Sequence, residues 1–323
     1  MKVRTVGMSQ GLALVLTHSG SPERAGAARS AMTVQSALSQ LGWHTKVVDL
    51  RRPSAVRHII EADLAFVAGH GWYSEDGKVQ GLLEVMCLPY TGSGVLASAT
   101  AMHKPTANGV LRHAGLRVPR WRDVDPGDAP AAEAARLVQE LGLPLFVKPA
   151  SGGGSIGSGI ARDIDTLIDR LAAEQRQQPR VALMASAYVS GVDTSVGLIE
   201  LDGRLEMLPI LATEHDGEFY DHEIKHDPAR RRHRCPADLS VEIAGLVGTM
   251  ARRAFRALGC HGLGRVDFIV DRDSIPWCLE VNTVPGLSEQ GNLATMGRAA
   301  GLTYCEMVEA IAATAFSKPF YRP

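Results

Sequence analysis

The hydrophobic positions change period along the chain. Residues 11–17 form an unbroken apolar run, the pattern of a strand buried on both faces. Residues 21–41 carry Ala, Met, Val and Leu at helical spacing and stop at Gly42, a residue suited to ending a helix. Residues 44–50 and 64–68 repeat the strand pattern. Strands alternating with helices predict a parallel sheet in an amino-terminal unit over residues 1–103. A second unit, 104–187, reads as α+β: a helix over 103–116, a Pro-, Asp- and Gly-rich loop over 120–130, a helix over 131–141, a short strand over 145–147, a helix over 163–175 and a strand from Val181. A third, 188–323, holds a hairpin over 194–210 turning at Asp202–Gly203, a helix over 240–258, a second hairpin over 264–281 and a closing helix over 304–316.

The length of 323 residues suits two or three such units. Lys+Arg is 34 and Asp+Glu is 35, a net charge of −1, which argues against a general nucleic-acid binder. The one dense basic cluster, Arg230-Arg231-Arg232-His233-Arg234, reads as a solvated loop, with a phosphate patch as the second reading. The longest uncharged run, 85–102, is broken by Pro89, Gly92 and Gly94, so no membrane span is expected. The apolar stretch near the amino terminus is too short for a signal peptide and reads as the buried first strand. Five cysteines, an odd number without a CxxC pair, fit a reducing, cytoplasmic setting rather than a zinc site or disulfide framework.

Three segments carry candidate chemistry. In the strand pair 265–270 and 277–282, alternate side chains share a face, so Arg265 and Asp267 point one way and Glu280 and Asn282 share a face of their own, opposite Leu279 and Val281. If the two polar faces coincide, they offer hard oxygen ligands for Mg²⁺ held together with nucleotide phosphates; a solvated polar sheet face is the other reading. The glycine run 151–159 follows Lys148, and its backbone N–H groups could approach phosphate oxygens; a flexible linker is the alternative. His70-Gly71 lies directly after a strand, where open α/β sheets bind ligands, although a lone histidine is more often a structural hydrogen-bonder.

In their order and spacing these segments resemble the D-alanine–D-alanine ligases of the ATP-grasp superfamily. HGWYSEDGKVQGLLEVMCLPYTGSGVLASATAMHK, from His70 to Lys104, is similar to the family's first signature, and GRVDFIVDRDSIPWCLEVNTVPG to its second. The resemblance implies α/β and α+β units in a three-domain ATP-grasp architecture, with nucleotide between the central and carboxy-terminal domains. It implies an ATP-dependent ligase that joins a D-amino acid, D-alanine first, to a second D-amino acid through an acyl phosphate, making a dipeptide for peptidoglycan. Two alternatives stand beside it: a related ATP-grasp ligase with another acceptor, a hydroxy acid or a natural-product amino acid, and a weakened nucleotide-binding homologue. By the resemblance, Asp267, Glu280 and Asn282 hold two Mg²⁺, with Mn²⁺ as a substitute. Lys104 and Lys148 contact ATP phosphates under a lid of Gly153, Gly154 and Ser155. Tyr188 and Val189 lie in the adenine hinge and Asp193 contacts the ribose. Arg265 and the Gly286 backbone stabilise the oxyanion, Glu23 binds the first ammonium near His70, and Lys225 closes over the site. A homodimer acting on small molecules is implied as well.

The sequence departs from the family at several points. Gly154 stands where a serine bridges the first-domain glutamate to a loop tyrosine, and that tyrosine is His226 here. The hinge is Ser186-Ala187-Tyr188-Val189, and the acceptor loop 285–293 is one residue longer, with Asn292 near the position of a carboxylate-binding serine.

Overall fold

The computed structural model describes residues 11–20, 23–125, 127–177 and 180–319. Its strands form three sheets. The first is parallel, in the order β2-β1-β3, from β1 (Leu12–Thr17), β2 (His44–Asp49) and β3 (Leu64–Val67). Helices α1 (Arg24–Gln40) and α2 (Ala55–Ile60) make its crossovers, and α3 (Lys78–Val85) and α4 (Val95–Met102) follow. Ala13 to Leu16 of the central strand have no exposed surface, which is why β1 reads as continuous apolar sequence.

Helix α5 (Lys104–His113) leads into the second sheet, antiparallel in the order β4-β7-β5-β6. It comprises β4 (Trp121–Asp123), β5 (Leu145–Pro149), β6 (Gly159–Ala161) and β7 (Leu183–Ala187), with α6 (Pro130–Leu141) and α7 (Ile164–Gln177) between them in sequence. The third sheet has the order β11-β10-β8-β12-β13, with β9 paired to β8. Its strands are β8 (Gly191–Leu201), β9 (Arg204–Met207), β10 (Leu211–His215), β11 (Arg231–Arg234), β12 (Leu263–Asp271) and β13 (Pro276–Asn282). Helices α8 (His222–His226), α9 (Val241–Ala257), α10 (Asn292–Ala299) and α11 (Tyr304–Thr314) complete the chain.

Three apolar cores tie these layers together. Leu14, Leu16 and Phe66 of the first sheet share one core with Leu287, Met296 and Ile311, so the two ends of the chain pack as one body. Leu111 of α5 packs with Phe255 of α9 and with Val266, Phe268 and Val281, so α5 lies under the third sheet. Leu137, Leu145, Leu167 and Leu171 fill the core of the second sheet. Among the described residues no helix is long and apolar enough to cross a membrane.

Two expectations are corrected. The loop expected over 120–130 contains β4, three residues whose ladder to β7 (Trp121↔Ser186) supplies order that a Pro-, Asp- and Gly-rich sequence does not advertise. The basic cluster expected as a solvated loop is largely strand β11, paired antiparallel with β10. Three of its charges have partners: Arg230 donates to Asp216, Arg231 to the Tyr220 hydroxyl and Arg234 to Asp238. The expected turn at Asp202–Gly203 is present, with φ of 50° and 75°, the positive pair that a tight β8–β9 hairpin needs.

Candidate active site

A cleft of about 780 Å³ runs between the second and third sheets. Phe146, Lys148 and Met184 line one wall, and Asp193, Asp267, Ile269 and Glu280 the other. The β12–β13 register sets Asp267 opposite Glu280 and Arg265 opposite Asn282, so the two polar faces coincide. Arg265 donates from Nε and Nη2 to the two Asp267 oxygens, each at 2.8 Å. The Ser195 hydroxyl donates to Oδ1 at 2.6 Å and Asn282 Nδ2 to Oδ2 at 2.9 Å. Just beyond Asp267 the register shifts, from Asp267↔Glu280 to Phe268↔Cys278, leaving Leu279 as the extra residue of a bulge. The alternation expected to send Leu279 away from Glu280 therefore breaks, and Leu279 lines the cleft beside it.

Four cations act on Glu280. Burial works against its charge, but Lys104, Lys148, Lys225 and Arg265 outweigh that and hold its pKa at about 2. Lys104 Nζ lies 3.9 Å from Glu280 and donates to the Gly152 carbonyl at 2.5 Å, tying α5 to the start of the glycine loop. Burial, with neighbouring cations, pushes Lys148 down to about 8 despite Glu280. Burial also lowers Lys225. Glu75, which sequence reasoning did not single out, is half-buried in the field of Glu23 and Glu280, and desolvation with those charges raises its pKa well above the ordinary range. It lies in HGWYSEDG, within the quoted signature, but its neighbours come together only through folding.

The donor set tests the metal expectation. Among the described residues no group of three or more His, Cys, Asp and Glu side chains is arranged to hold a metal. The two facing carboxylates and the Asn282 amide oxygen are hard oxygen donors, too few to enclose an ion alone, and that chemistry fits Mg²⁺ whose remaining ligands come from phosphate and water.

The glycine loop is fastened to the segment carrying Lys225. Lys225 Nζ donates to Ser155 Oγ at 2.7 Å, and that hydroxyl donates to the Tyr220 carbonyl at 3.1 Å. His222 Nδ1 meets the Gly154 carbonyl at 3.2 Å. The absence of a serine at 154 thus does not leave the two loops apart. The Glu23 carboxylate lies against Gly153 and Gly154: a Cβ at Gly153 would come within 2.8 Å of it, and Gly154 has φ +70°. The side chain of His226 lies outside the described residues.

His70 sits behind the cleft wall. Its Nε2 pairs with Ser30 Oγ at 3.0 Å and its Nδ1 with the Val284 carbonyl at 3.3 Å; burial lowers its pKa to about 4, so the ring is neutral. With both nitrogens engaged, His70 joins α1 to the 284–287 loop. Ser30 Oγ also accepts from the Leu287 N–H in that loop, where Gly286 has open space around its Cα. Asn292, at the start of α10, lines the cleft.

Away from the cations the cleft becomes apolar, with Phe146, Met184, Ile269 and Leu279 facing it beside Tyr188 and Val189. The Phe219 ring meets Phe146 edge-on at 5.1 Å. Asp193, at the rim, pairs with His215 Nε2 at 3.0 Å, and this hydrogen bond raises the His215 pKa. His215 is the second residue that sequence reasoning missed.

Two family models match the chain: "D-ala D-ala ligase N-terminus" over residues 3–93 and "D-ala D-ala ligase C-terminus" over residues 110–313. A D-alanine–D-alanine ligase of Desulforudis audaxviator is 39% identical over 293 residues, covering 90% of this chain and 93% of the relative. One from a Synechococcus species is 37% identical, covering 92% and 91%. The solved structure of D-alanine–D-alanine ligase from Bacillus anthracis complexed with ATP superposes with a TM-score of 0.81 at 28% identity, covering 95% of this chain and 98% of that one. The VanG D-Ala:D-Ser ligase from Enterococcus faecalis gives the same TM-score at 20% identity and speaks for the fold alone.

Proposed function

We propose that this chain, which belongs to the D-alanine–D-alanine ligase family, is an ATP-dependent enzyme that joins D-alanine to a second D-amino acid, making a dipeptide for peptidoglycan. The observation that carries the reading is the convergence of Lys104, Lys148, Lys225 and Arg265 on the Asp267–Glu280 pair, between the glycine loop and an apolar slot. A polyanionic nucleotide needs such a cationic centre, and its base needs such a slot.

The first amino acid enters with its ammonium at Glu23. Its carboxylate oxygen attacks the γ-phosphorus of ATP, ADP leaves, and an acyl phosphate results. The second amino group, having lost a proton, attacks the carbonyl carbon; the C–N bond forms and phosphate departs. Arg265 and the Gly286 backbone face the oxyanion between these events. Lys104 and Lys148 neutralise phosphate charge, while Lys225 and Ser155 hold the lid over an intermediate that water would destroy. Asp267, Glu280 and Asn282 would hold Mg²⁺, which screens the triphosphate when bound. His70 keeps α1 and the 284–287 loop in register.

Tyr188 and Val189 flank the base, Asp193 the ribose, and Gly153 and Gly154 the phosphates. The same reading takes in units divided near residues 103 and 188, a homodimer and action in the cytoplasm. Asn292 on the acceptor side favours one variation, a second substrate other than D-alanine. The test is phosphate release and product mass with ATP, D-alanine and a panel of D- and L-amino acids and D-hydroxy acids. Dipeptide formed from D-alanine with one phosphate per bond is expected; no phosphate release with any D-amino acid sinks the proposal.

A further inference from the structure

We propose that His215 is a positioning residue for nucleotide binding, holding Asp193 in the orientation that accepts the ribose hydroxyls. This rests on the reading of the cleft as an ATP site and of Asp193 as its ribose contact.

The geometry comes from two adjacent strands. Asp193 on β8 stands opposite Thr213 on β10, and His215, two residues on, shares the face of Thr213. A diagonal neighbour at that spacing is within reach of a long side chain, and His215 Nε2 meets Asp193 Oδ2 at 3.0 Å. Asp193, Thr213 and His215 all line the cleft.

The imidazole is held from other sides too. The Tyr220 ring stacks on it at 5.7 Å with an interplanar angle of 21°. The Tyr220 hydroxyl accepts from Arg231 Nη1 at 2.6 Å, and Arg231 is the cross-strand partner of His215. His215 is only 11% exposed and Asp193 24%. A side chain fixed by a carboxylate, a stacked ring and a strand ladder has little freedom left to lose when ligand arrives.

A carboxylate without a partner here would rotate freely. With Oδ2 taken by the imidazole N–H, Oδ1 is left to accept from ribose. The proposal therefore concerns ribose hydroxyls and not the base or the phosphates.

The experiment is calorimetry with ADP and with 2′,3′-dideoxy-ADP, on the wild-type protein, His215→Ala and His215→Gln. Wild type is expected to bind ADP more tightly than the dideoxy nucleotide. His215→Ala should weaken ADP on the order of tenfold, the effect of a lost hydrogen bond to a charged group, and leave the dideoxy nucleotide within about twofold. His215→Gln, which keeps a donor, should recover part of the ADP affinity. Equal losses for both nucleotides would mean that His215 only supports the fold, and unchanged ADP affinity would mean that it does nothing for Asp193; either overturns the inference while leaving the ATP site standing. Equal affinity of the wild type for both nucleotides removes the ribose contact itself. Failure of the wild type to bind ADP removes the nucleotide reading with it. Melting temperatures of the variants separate misfolding from lost affinity.

Discussion

Asp267 and Glu280 face each other across the β12–β13 ladder, yet they are held differently. Asp267 accepts hydrogen bonds from Arg265, Ser195 and Asn282, whereas Glu280 is held ionised by the charge of four cations, with Lys104 at 3.9 Å. Asp267 is oriented by neighbours in its own sheet. Glu280 gathers charge from α5, the second sheet and the lid segment.

Glu280→Gln tests that difference. It removes the charge the lysines converge on and keeps the shape. Turnover should fall on the order of 10²-fold or more, the scale of losing a group that organises developing charge. Steady-state rates at saturating Mg²⁺, alongside circular dichroism of the folded variant, check this; near-wild-type turnover removes Glu280 from the machinery.

Lys148 gives a pH prediction with a definite sign. Its folded-state pKa is about 8, below the ordinary lysine value of 10.5. Phosphates bind the protonated form, so affinity for a non-hydrolysable ATP analogue should hold below pH 8 and decline above it, by at most about tenfold per unit. Lys148→Arg should flatten the decline, because a guanidinium stays charged. Without nucleotide the sign reverses. The unfolded chain binds more protons than the folded one between pH 8 and 10.5, so this lysine makes stability rise with pH across that window. Calorimetry and thermal melts over the same range read the two slopes.

Ser155→Ala should loosen the lid without removing any of the cations. The hydroxyl links Lys225 to the Tyr220 carbonyl, and a lost hydrogen bond of about 0.5–1.5 kcal/mol corresponds to roughly two- to tenfold more opening. An open lid admits water to the acyl phosphate, so the ratio of phosphate to dipeptide should climb above one. A ratio that stays at one argues that the lid closes by other contacts.

Gly154→Ser places a serine where the family has one, but here it should harm rather than help. Gly154 has φ +70°, where a side chain costs about 1–2 kcal/mol, and its Cβ would lie 3.3 Å from the Glu23 carboxyl carbon. A lower melting temperature and a raised KM for the first amino acid are expected; a gain in both would show that the loop relaxes to accept the serine.

Much of this site is legible in the sequence, because strands alternate with period two and the polar residues of 265–282 fall on that period. Leu279 is not legible. The bulge that turns it into the cleft is a property of the ladder, visible only when two strands are aligned. Strand β11 is hidden for a related reason: an arginine-rich segment lacks the alternating pattern, and its pairing with β10 supplies the order. Glu75 and His215 escape notice because what distinguishes them, the Glu23–Glu280 field and the Asp193 contact, joins residues far apart in sequence.

Strand β11 forms one outer border of the six-stranded sheet, and three of its four residues are arginines. An outer strand offers unpaired backbone groups to any other strand, including one from a second copy of the chain. Two such borders brought together would crowd six guanidinium groups along one seam, and the ion pairs to Asp238 and Glu214 would have to be broken to make room. Growth of the sheet on this side is therefore self-limiting. The charge that marks this segment in the sequence thus also helps to keep the sheet that carries Asp267 and Glu280 at its own width.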